Sequence, residues 1–302
     1  MRAEKCQRRR GLSRIDLLVI VVIAVVLLGI LLSVLLRARE DSDQVQCKFN
    51  LQQIGSAIVR FHDRKHFLPA NRIDNGYATW AVQIGADLSP KGDNLLRAWD
   101  EQKPYADQTD DARQIQVPQY YCPARQRPSK LSTAGDDGPD GKLLPGALGD
   151  YACASGNSLK PDPWDGPEAN GSILIGEVLK REGARILEWR GRVRFKDLGD
   201  NKAYKILLGD KHVPLGKFGQ AAAGDGSLYN GGNPKSSARV GGPGQGLAPS
   251  PEANFNFNFG SYHQAGICQF LMADGAVKTF TPSVDEAVLG RFMDRHAPPE
   301  NK

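Results

Sequence analysis

The sequence predicts an α+β protein, with one long N-terminal helix that begins as a transmembrane segment and a head that contains an antiparallel sheet. Three observations support this prediction. An uncharged apolar run extends from Leu17 to Leu36, helical periodicity continues after it, and two apolar runs near the C-terminus flank Asp274-Gly275. Apolar runs of this length are typical of membrane spans, and an Asp-Gly pair between apolar runs is typical of a β-hairpin.

The first element is a basic leader, residues 1–11, followed by the predicted transmembrane segment, residues 12–36. The leader carries five Lys or Arg residues and one Glu. The apolar run of roughly 20 residues, at about 1.5 Å per residue, crosses a hydrocarbon core about 30 Å thick, whereas a cleaved secretory signal has a shorter apolar core. The basic excess before the span predicts a single-pass protein with a cytoplasmic N-terminus and an exported C-terminal domain.

The helix is predicted to continue beyond the membrane over residues 37–68. Apolar residues recur there at spacings of four and three, which places them on one helical face. Pro69 is the predicted stop. The residues on this face are Cys47, Leu51, Ile54, Ile58 and Phe61.

Residues 69–302 form the predicted head. Short apolar runs predict strands, and the last two are expected to pair as a hairpin around a type I′ turn with positive φ at Asp274. A short helix at about 283–295 closes the chain. The predicted strands span 172–178, 193–195, 203–209, 267–273 and 276–280.

The charge excludes one class of partner. The chain has a formal net charge of +5, of which the leader contributes +4, so the exported part is close to neutral at about +1. No basic stripe with interleaved aromatic residues is present, so the sequence does not predict nucleic-acid binding.

Four cysteines lie on the exported side: Cys47, Cys122, Cys153 and Cys268. An even number in an oxidising compartment favours disulfides, with three possible pairings. We favour Cys122 with Cys153, because they are close in the chain and a Gly/Pro-rich loop separates them. Zinc binding and four buried thiols are the alternatives. No metal site and no cofactor are predicted, since no C-x-x-C pair exists.

No catalytic motif is found: the sequence has no G-x-S-x-G elbow, P-loop or H-E-x-x-H helix, and no enzymatic activity is predicted. His263 is the most suggestive histidine, and we interpret it as a structural residue in a turn. Asp16 has a functional interpretation, because an ionisable group at the start of a lipid-exposed helix is costly. It either reaches the membrane interface or pairs with the N-terminal amine of a neighbouring subunit after cleavage between Gly11 and Leu12.

This junction resembles the prepilin-type cleavage and methylation segment, in which a Gly is followed by a hydrophobic residue and by a Glu at the fifth mature position. Gly11, Leu12 and Asp16 occupy these places, with Asp instead of Glu. Arg14 stands where an apolar residue is usual.

Several later stretches resemble motifs of a large bacterial prepilin-like family with a C-terminal H-x9-DG motif, known as domain of unknown function 1559. They include residues 46–55, 79–82, 121–123, 149–151, 194–212 and 224–231, and His263 with Asp274 and Gly275. Ten residues separate His263 from Asp274, one more than the motif specifies.

The resemblance implies a pseudopilin-like architecture and no established activity. We therefore expect a structural or assembly protein of an export or surface-filament system, held in the bacterial inner membrane with its head in the periplasm or at the cell surface. The expected partners are the lipid bilayer, a prepilin peptidase, and copies of itself or other pilin-like subunits. One alternative is an extracytoplasmic protein whose head binds a solute or glycan through residues 219–262. An exported hydrolase with a site around His263 is the other.

Overall fold

The computed structural model describes residues 14–157, 162 and 164–298. Its first element is helix α1 (Arg14–Lys65), which contains 52 residues. The prediction of one long N-terminal helix followed by an α+β head is therefore confirmed, and the architecture is pilin-like. The chain divides into two compact units, Met1–Ser42 and Asp43–Lys302, with the boundary inside α1.

The first unit contains the apolar part of α1. Its large hydrophobic side chains, from Ile15 to Leu36, are between 48% and 75% exposed. The helix from Leu17 onward is the one described segment that is long and apolar enough to cross a membrane.

The second unit begins with the amphipathic part of α1. The predicted face is confirmed, because Cys47, Leu51, Ile54 and Ile58 are completely buried. The helix ends at Lys65, a few residues before the predicted stop at Pro69. The physical reason is that His66 adopts a left-handed conformation with φ of 64°, which does not continue a right-handed helix.

The remaining helices of the head are short. Three have a side-chain N-cap of the usual kind, since Ser89, Thr109 and Asp285 each accept a hydrogen bond from a backbone N–H in the first turn. The helix predicted near 283–295 is confirmed as α6. The bounds are α2 (Trp80–Gln83), α3 (Gly85–Leu88), α4 (Pro90–Ala98), α5 (Asp110–Gln114) and α6 (Glu286–Met293).

The head has a five-stranded sheet and a separate hairpin. The sheet order is β5-β1-β4-β6-β7, and the hairpin pairs β2 with β3. Three of the four pairings in the large sheet are antiparallel, whereas β1 and β5 run parallel. The strands are β1 (Tyr151–Asn157), β2 (Glu177–Glu182), β3 (Arg185–Arg190), β4 (Ile206–Asp210), β5 (Ala238–Gly241), β6 (Cys268–Met272) and β7 (Val277–Phe280).

Three of the predicted strands differ from the structure. The run 203–209 becomes a strand only from Ile206, because Lys202–Tyr204 forms a 3₁₀ turn. Residues 172–176 are irregular, and only the end of that run enters β2. Residues 193–195 lead into a 3₁₀ turn at Phe195–Leu198. The reason is local, because the Asp197 carboxylate accepts a hydrogen bond from the Arg194 backbone N–H at 2.8 Å and closes the turn.

The C-terminal hairpin is confirmed, but its turn is of another type. Gly275 has φ of 87°, while Asp274 is not left-handed, so the two-residue type I′ turn was wrong. Met272 N donates to Ala276 O, which gives a longer loop with Gly at its left-handed position. The Asp274 carboxylate accepts from Ala276 N at 2.9 Å and fixes this loop.

Each face of the sheet has its own core. Leu271 of β6 belongs to the large cluster that contains the buried face of α1, residues 47–61. Its neighbours Phe270 and Met272 belong to the smaller cluster with Leu289 and Met293 of α6. Because side chains alternate along a strand, the sheet lies between the second part of α1 and α6.

Candidate functional site

A disulfide joins α1 to the loop between α5 and β1. It links Cys47 to Cys122, whose Cα atoms are 5.4 Å apart and which are 75 positions apart in the chain. The favoured pairing of Cys122 with Cys153 was therefore wrong. Closeness along the chain was the argument for it, but the fold brings α1, far away in sequence, against Cys122.

Cys153 and Cys268 are buried free thiols. Cys153 lies inside β1, opposite Leu208 of β4 and Ala238 of β5. Burial raises the pKa of the Cys153 thiol to about 12, so it stays protonated and unreactive. The Cys268 thiol donates to the Asp210 carbonyl oxygen at 3.5 Å. Both residues therefore belong to the core of the sheet.

His263 packs against this disulfide. Its Nε2 atom lies 3.5 Å from Cys122 Sγ, and its side chain is 3% exposed. It immediately precedes a 3₁₀ turn at Gln264–Gly266, and its backbone N–H donates to Ser261 Oγ at 3.2 Å. The sulfur atoms of Cys47 and Cys122 and one ring nitrogen of His263 all lie within 4.8 Å of one another.

The residues of the C-terminal motif do not meet. His263 precedes β6 and is buried, whereas Asp274 and Gly275 follow β6 and form an exposed turn. Asp274 and Gly275 therefore have a structural role in the hairpin, and only the His of this motif lies at the disulfide.

A buried network of charges supports the loop that carries Cys122. Arg125 Nη1 and Arg127 Nε donate to Asp150 Oδ1, both at 2.9 Å. Arg127 Nη2 donates to Asp225 Oδ1 at 3.0 Å, and Lys211 Nζ lies 3.1 Å from the same oxygen. These five side chains are at most 2% exposed. Since a buried charge is costly unless it is paired and hydrogen-bonded, removing one member would destabilise the head.

Electrostatics within this network favour the ionised forms of its two carboxylates. Burial opposes ionisation of Asp150 and Asp225, but Arg127 beside both carboxylates holds each pKa below its usual value. Burial lowers the pKa of Lys211 to about 7. Asp150 has a further role, because its second oxygen accepts from the Cys122 backbone N–H at 2.8 Å. The network therefore positions the backbone of Cys122 directly.

A cavity of about 510 Å³ opens beside Cys122. Its walls come from α1 and from residues 118–130, and no acidic side chain lines it. Five amide side chains and three cationic side chains give it a polar surface, whereas none of its lining residues comes from 219–262. The amides are Gln46, Asn50, Gln53, Gln119 and Gln126, and the cations are Arg125, Arg127 and Lys130.

The predicted processing residues cannot be placed in this site. Gly11 and Leu12 lie outside the described residues, as does the side chain of Asp16. Their roles remain predictions from the sequence.

Sequence reasoning missed the charge network and the convergence on the disulfide. The signal was partly present, because residues 46–55, residues 121–123 and His263 each lie in a stretch that resembles the family. The structure brings one residue of each stretch together. Lys211 and Asp225 also lie in family-like stretches, but no local pattern predicts that they meet Arg127, because tertiary folding alone brings them together.

The disulfide and the cavity beside it determine which chemistry this site can support. The oxidised pair is a cross-link, and only its reduction would supply nucleophilic or metal-binding sulfur. The cavity next to it offers amide and guanidinium donors that suit hydroxyl or carboxylate oxygens.

Comparison with known proteins agrees with the motif resemblance. No curated protein and no solved structure matches the chain. A family model described as "Protein of unknown function (DUF1559)" matches residues 37–287, which cover the second part of α1 and nearly all of the head. The chain therefore belongs to the DUF1559 family.

Proposed function

We propose that the chain is a non-catalytic, membrane-anchored, pseudopilin-like subunit of an export or surface-filament system. One observation carries this proposal. Within α1, the apolar side chains of residues 17–36 are exposed, whereas the apolar face of residues 47–61 is buried. Contiguous apolar surface of this size indicates contact with a membrane or with other subunits.

The disulfide supports export of the head. Disulfides form and persist in oxidising compartments such as the bacterial periplasm and the cell surface. Cys47 and Cys122 both lie in the unit that follows the apolar part of α1. An anchor with a cytoplasmic N-terminus would place this unit on the oxidising side of the inner membrane.

In this proposal, assembly depends on processing at Gly11. Cleavage before Leu12 by a prepilin peptidase would create a charged amine close to Asp16 in the sequence. Within the bilayer, Asp16 of one subunit would pair with the amine of its neighbour, because an unpaired charge there is costly. Such a pair would set the register between copies of α1.

The first test is the intact mass and N-terminal sequence of the protein purified from its native membrane. A chain that begins at N-methylated Leu12 is the expected result. A chain that begins at Met1 would contradict processing and leave a permanent single-pass anchor.

The second test addresses assembly and uses matched carboxylates. Asp16→Ala should abolish cross-linking between subunits in membranes while leaving insertion intact. Asp41→Ala removes an exposed carboxylate beyond the apolar run and should have no effect. Equal cross-linking in the two variants would contradict the pairing of Asp16.

A second candidate function is binding of an extracytoplasmic solute or glycan by the head. The cavity favours it, since its size of about 510 Å³ and its five amides suit a hydroxylated ligand. The full chain in nanodiscs would be applied to a glycan array, with Gln53→Ala as the variant. Gln52→Ala is the control, because Gln52 is the exposed neighbour outside the cavity. Retention of a glycan by wild type and Gln52→Ala, with loss in Gln53→Ala, would support this function; equal retention by all three would contradict it.

A further inference from the structure

The most concentrated unexplained chemistry in the described chain is the contact between the disulfide and His263. Its three residues come from distant segments, since the cysteines are 75 positions apart and Cys122 and His263 are 141 positions apart in the chain. All three side chains are at most 5% exposed. Two sulfurs and an imidazole nitrogen within 4.8 Å of one another are a ligand set for a soft metal ion.

The geometry of this contact suits a shared ion. With metal–sulfur and metal–nitrogen bonds of about 2.3 and 2.0 Å, ligand angles of 109–120° require a sulfur–nitrogen separation of about 3.5–3.7 Å. The observed distance from Cys122 Sγ to His263 Nε2 is 3.5 Å. Reduction of the disulfide frees the two sulfurs to move apart, so an ion can bind between them and the ring nitrogen.

The site is held in place by bonds that do not depend on the disulfide. The Cys122 backbone N–H donates to Asp150, which the buried arginines hold. Asn50 Nδ2, one turn after Cys47 on α1, donates to Tyr121 O at 2.9 Å. His263 is fixed by its backbone bond to Ser261. The backbone that carries the three ligands therefore stays in place when the sulfur–sulfur bond is broken, and only the sulfur atoms move.

We propose that reduction of the Cys47–Cys122 disulfide creates a three-coordinate site for Cu(I), formed by Cys47 Sγ, Cys122 Sγ and His263 Nε2. A dithiol reductant supplies two electrons and two protons to the disulfide and is itself oxidised to a disulfide. Binding of Cu(I) then displaces one proton from each thiol. No change in the oxidation state of copper is required.

Coordination number selects Cu(I) over Zn(II). Structural zinc sites have four protein ligands, and three-ligand zinc sites add a water molecule. Among the described residues, no fourth His, Cys, Asp or Glu joins this cluster. The sulfurs are also buried, and Cys47 is completely inaccessible to solvent, which disfavours a water molecule as the fourth ligand of zinc. Cu(I) is satisfied by three soft ligands, and the cavity beside Cys122 gives it a path of entry.

The test is a Cu(I) titration of the full chain in detergent, without oxygen, against a chromogenic Cu(I) chelator. All forms carry Cys6→Ser, Cys153→Ala and Cys268→Ala, so that no other thiol competes. The reduced protein should bind one equivalent of Cu(I), and the oxidised protein should bind none. X-ray absorption should show two sulfur ligands and one nitrogen ligand.

Variants assign the nitrogen ligand. Loss of a residue that only supports a metal ligand typically weakens metal binding 10- to 100-fold, so loss of the ligand itself in His263→Ala should weaken Cu(I) binding by at least about tenfold. The control His296→Ala changes an exposed histidine near the C-terminus and should leave affinity unchanged. Equal affinity of His263→Ala and the parent, or a site with sulfur ligands alone, would overturn the proposal.

Folding of the reduced protein is the remaining check. Near-ultraviolet circular dichroism of the reduced and oxidised forms should agree, because the site requires the native positions of its ligands. Loss of this signal on reduction would overturn the proposal, as would a folded reduced protein that binds no Cu(I).

Discussion

The two parts of α1 use the same helical geometry and similar apolar residues with opposite results. Residues 17–36 are apolar on every side and their large side chains are exposed, whereas residues 47–61 are apolar on one face and that face is buried. The difference lies in the pattern, because a one-sided apolar stripe fits a protein core and an all-round apolar surface does not. Helix formation alone does not determine where a segment belongs.

The largest effect is expected when a charged residue is introduced into each part of α1. Ile54→Asp places a carboxylate in a completely buried position and should destabilise the head by about 5 kcal/mol or more. Ile30→Asp should leave unfolding of the head unchanged and weaken membrane insertion by about 3 kcal/mol. Chemical unfolding and membrane fractionation measure the two results. A stable Ile54→Asp head would show that this face is not part of the core.

The disulfide gives the next largest effect, since it fixes only the buried part of α1. Cys47→Ser removes the cross-link between residues 75 positions apart. The chain-entropy relation predicts that this lowers the free energy of unfolding by about 4 kcal/mol. Denaturant unfolding of the full chain measures the loss. Reductant should destabilise the wild type by a similar amount and leave Cys47→Ser unchanged. If reductant leaves the free energy of unfolding of the wild type unchanged, the presence of the disulfide would be contradicted.

Acid should distinguish the two parts, because residues 17–36 contain no ionisable side chain and the head contains several buried ones. Burial lowers the pKa of His212 from 6.5 to about 4. Its Nε2 atom lies 2.8 Å from Ala253 O, and Nδ1 has no hydrogen-bond partner among the described residues. Protonation would therefore leave a buried N–H unpaired.

The sign of this effect follows from the two pKa values. Between pH 6.5 and 4 the unfolded state binds more protons at His212, so stability falls as the pH falls through that window. The loss should be on the order of 2–3 kcal/mol relative to His212→Gln, which keeps a donor and cannot titrate. Unfolding at pH 7 and pH 4 measures it. Parallel pH curves for the two proteins would exclude His212 as the cause.

The smallest effect on stability is expected from replacing one glycine by alanine in each part of α1. A Cβ at Gly55 would lie 2.8 Å from Leu271 Cδ1 in the core, whereas a Cβ at Gly29 would meet nothing within 4 Å. Gly55→Ala should lose about 1 kcal/mol, since overpacking exceeds the gain in helix propensity. Gly29→Ala should lose nothing. Denaturant midpoints of the two variants test this, and equal midpoints would place α1 farther from β6.

The sequence predicted the elements whose pattern is local. The span, the amphipathic face from Cys47 to Phe61 and the C-terminal hairpin all have a periodicity or turn signal that needs no distant partner. Strand β1 was missed because Tyr151–Asn157 contains two Ala, one Gly and one Asn, which are residue types with low β-propensity. Burial between β5 and β4 makes it a central strand. Its place is therefore fixed by tertiary contacts.

The candidate site was less predictable, for the same reason. The pairing of Cys47 with Cys122 requires α1 to lie against residues 118–130, and no local signal encodes that approach. Similarly, Asp225 is separated from Arg127 by 98 positions. The motif resemblance marked the right cysteines and His263 individually, but only the fold shows that they touch.

The position of the disulfide has a mechanical consequence. Cys47 lies four residues after Asp43, where the second unit begins, so the cross-link is close to the point where a pull on the anchor would enter the head. Tension applied through α1 would pass at Cys47 into a covalent bond and reach Cys122 without stretching the chain between the two cysteines. Peeling α1 away from the sheet residue by residue would then be blocked until the bond is reduced. The tensile strength of the oxidised head would therefore depend on the chain after Cys122 and on the buried charges around Asp150.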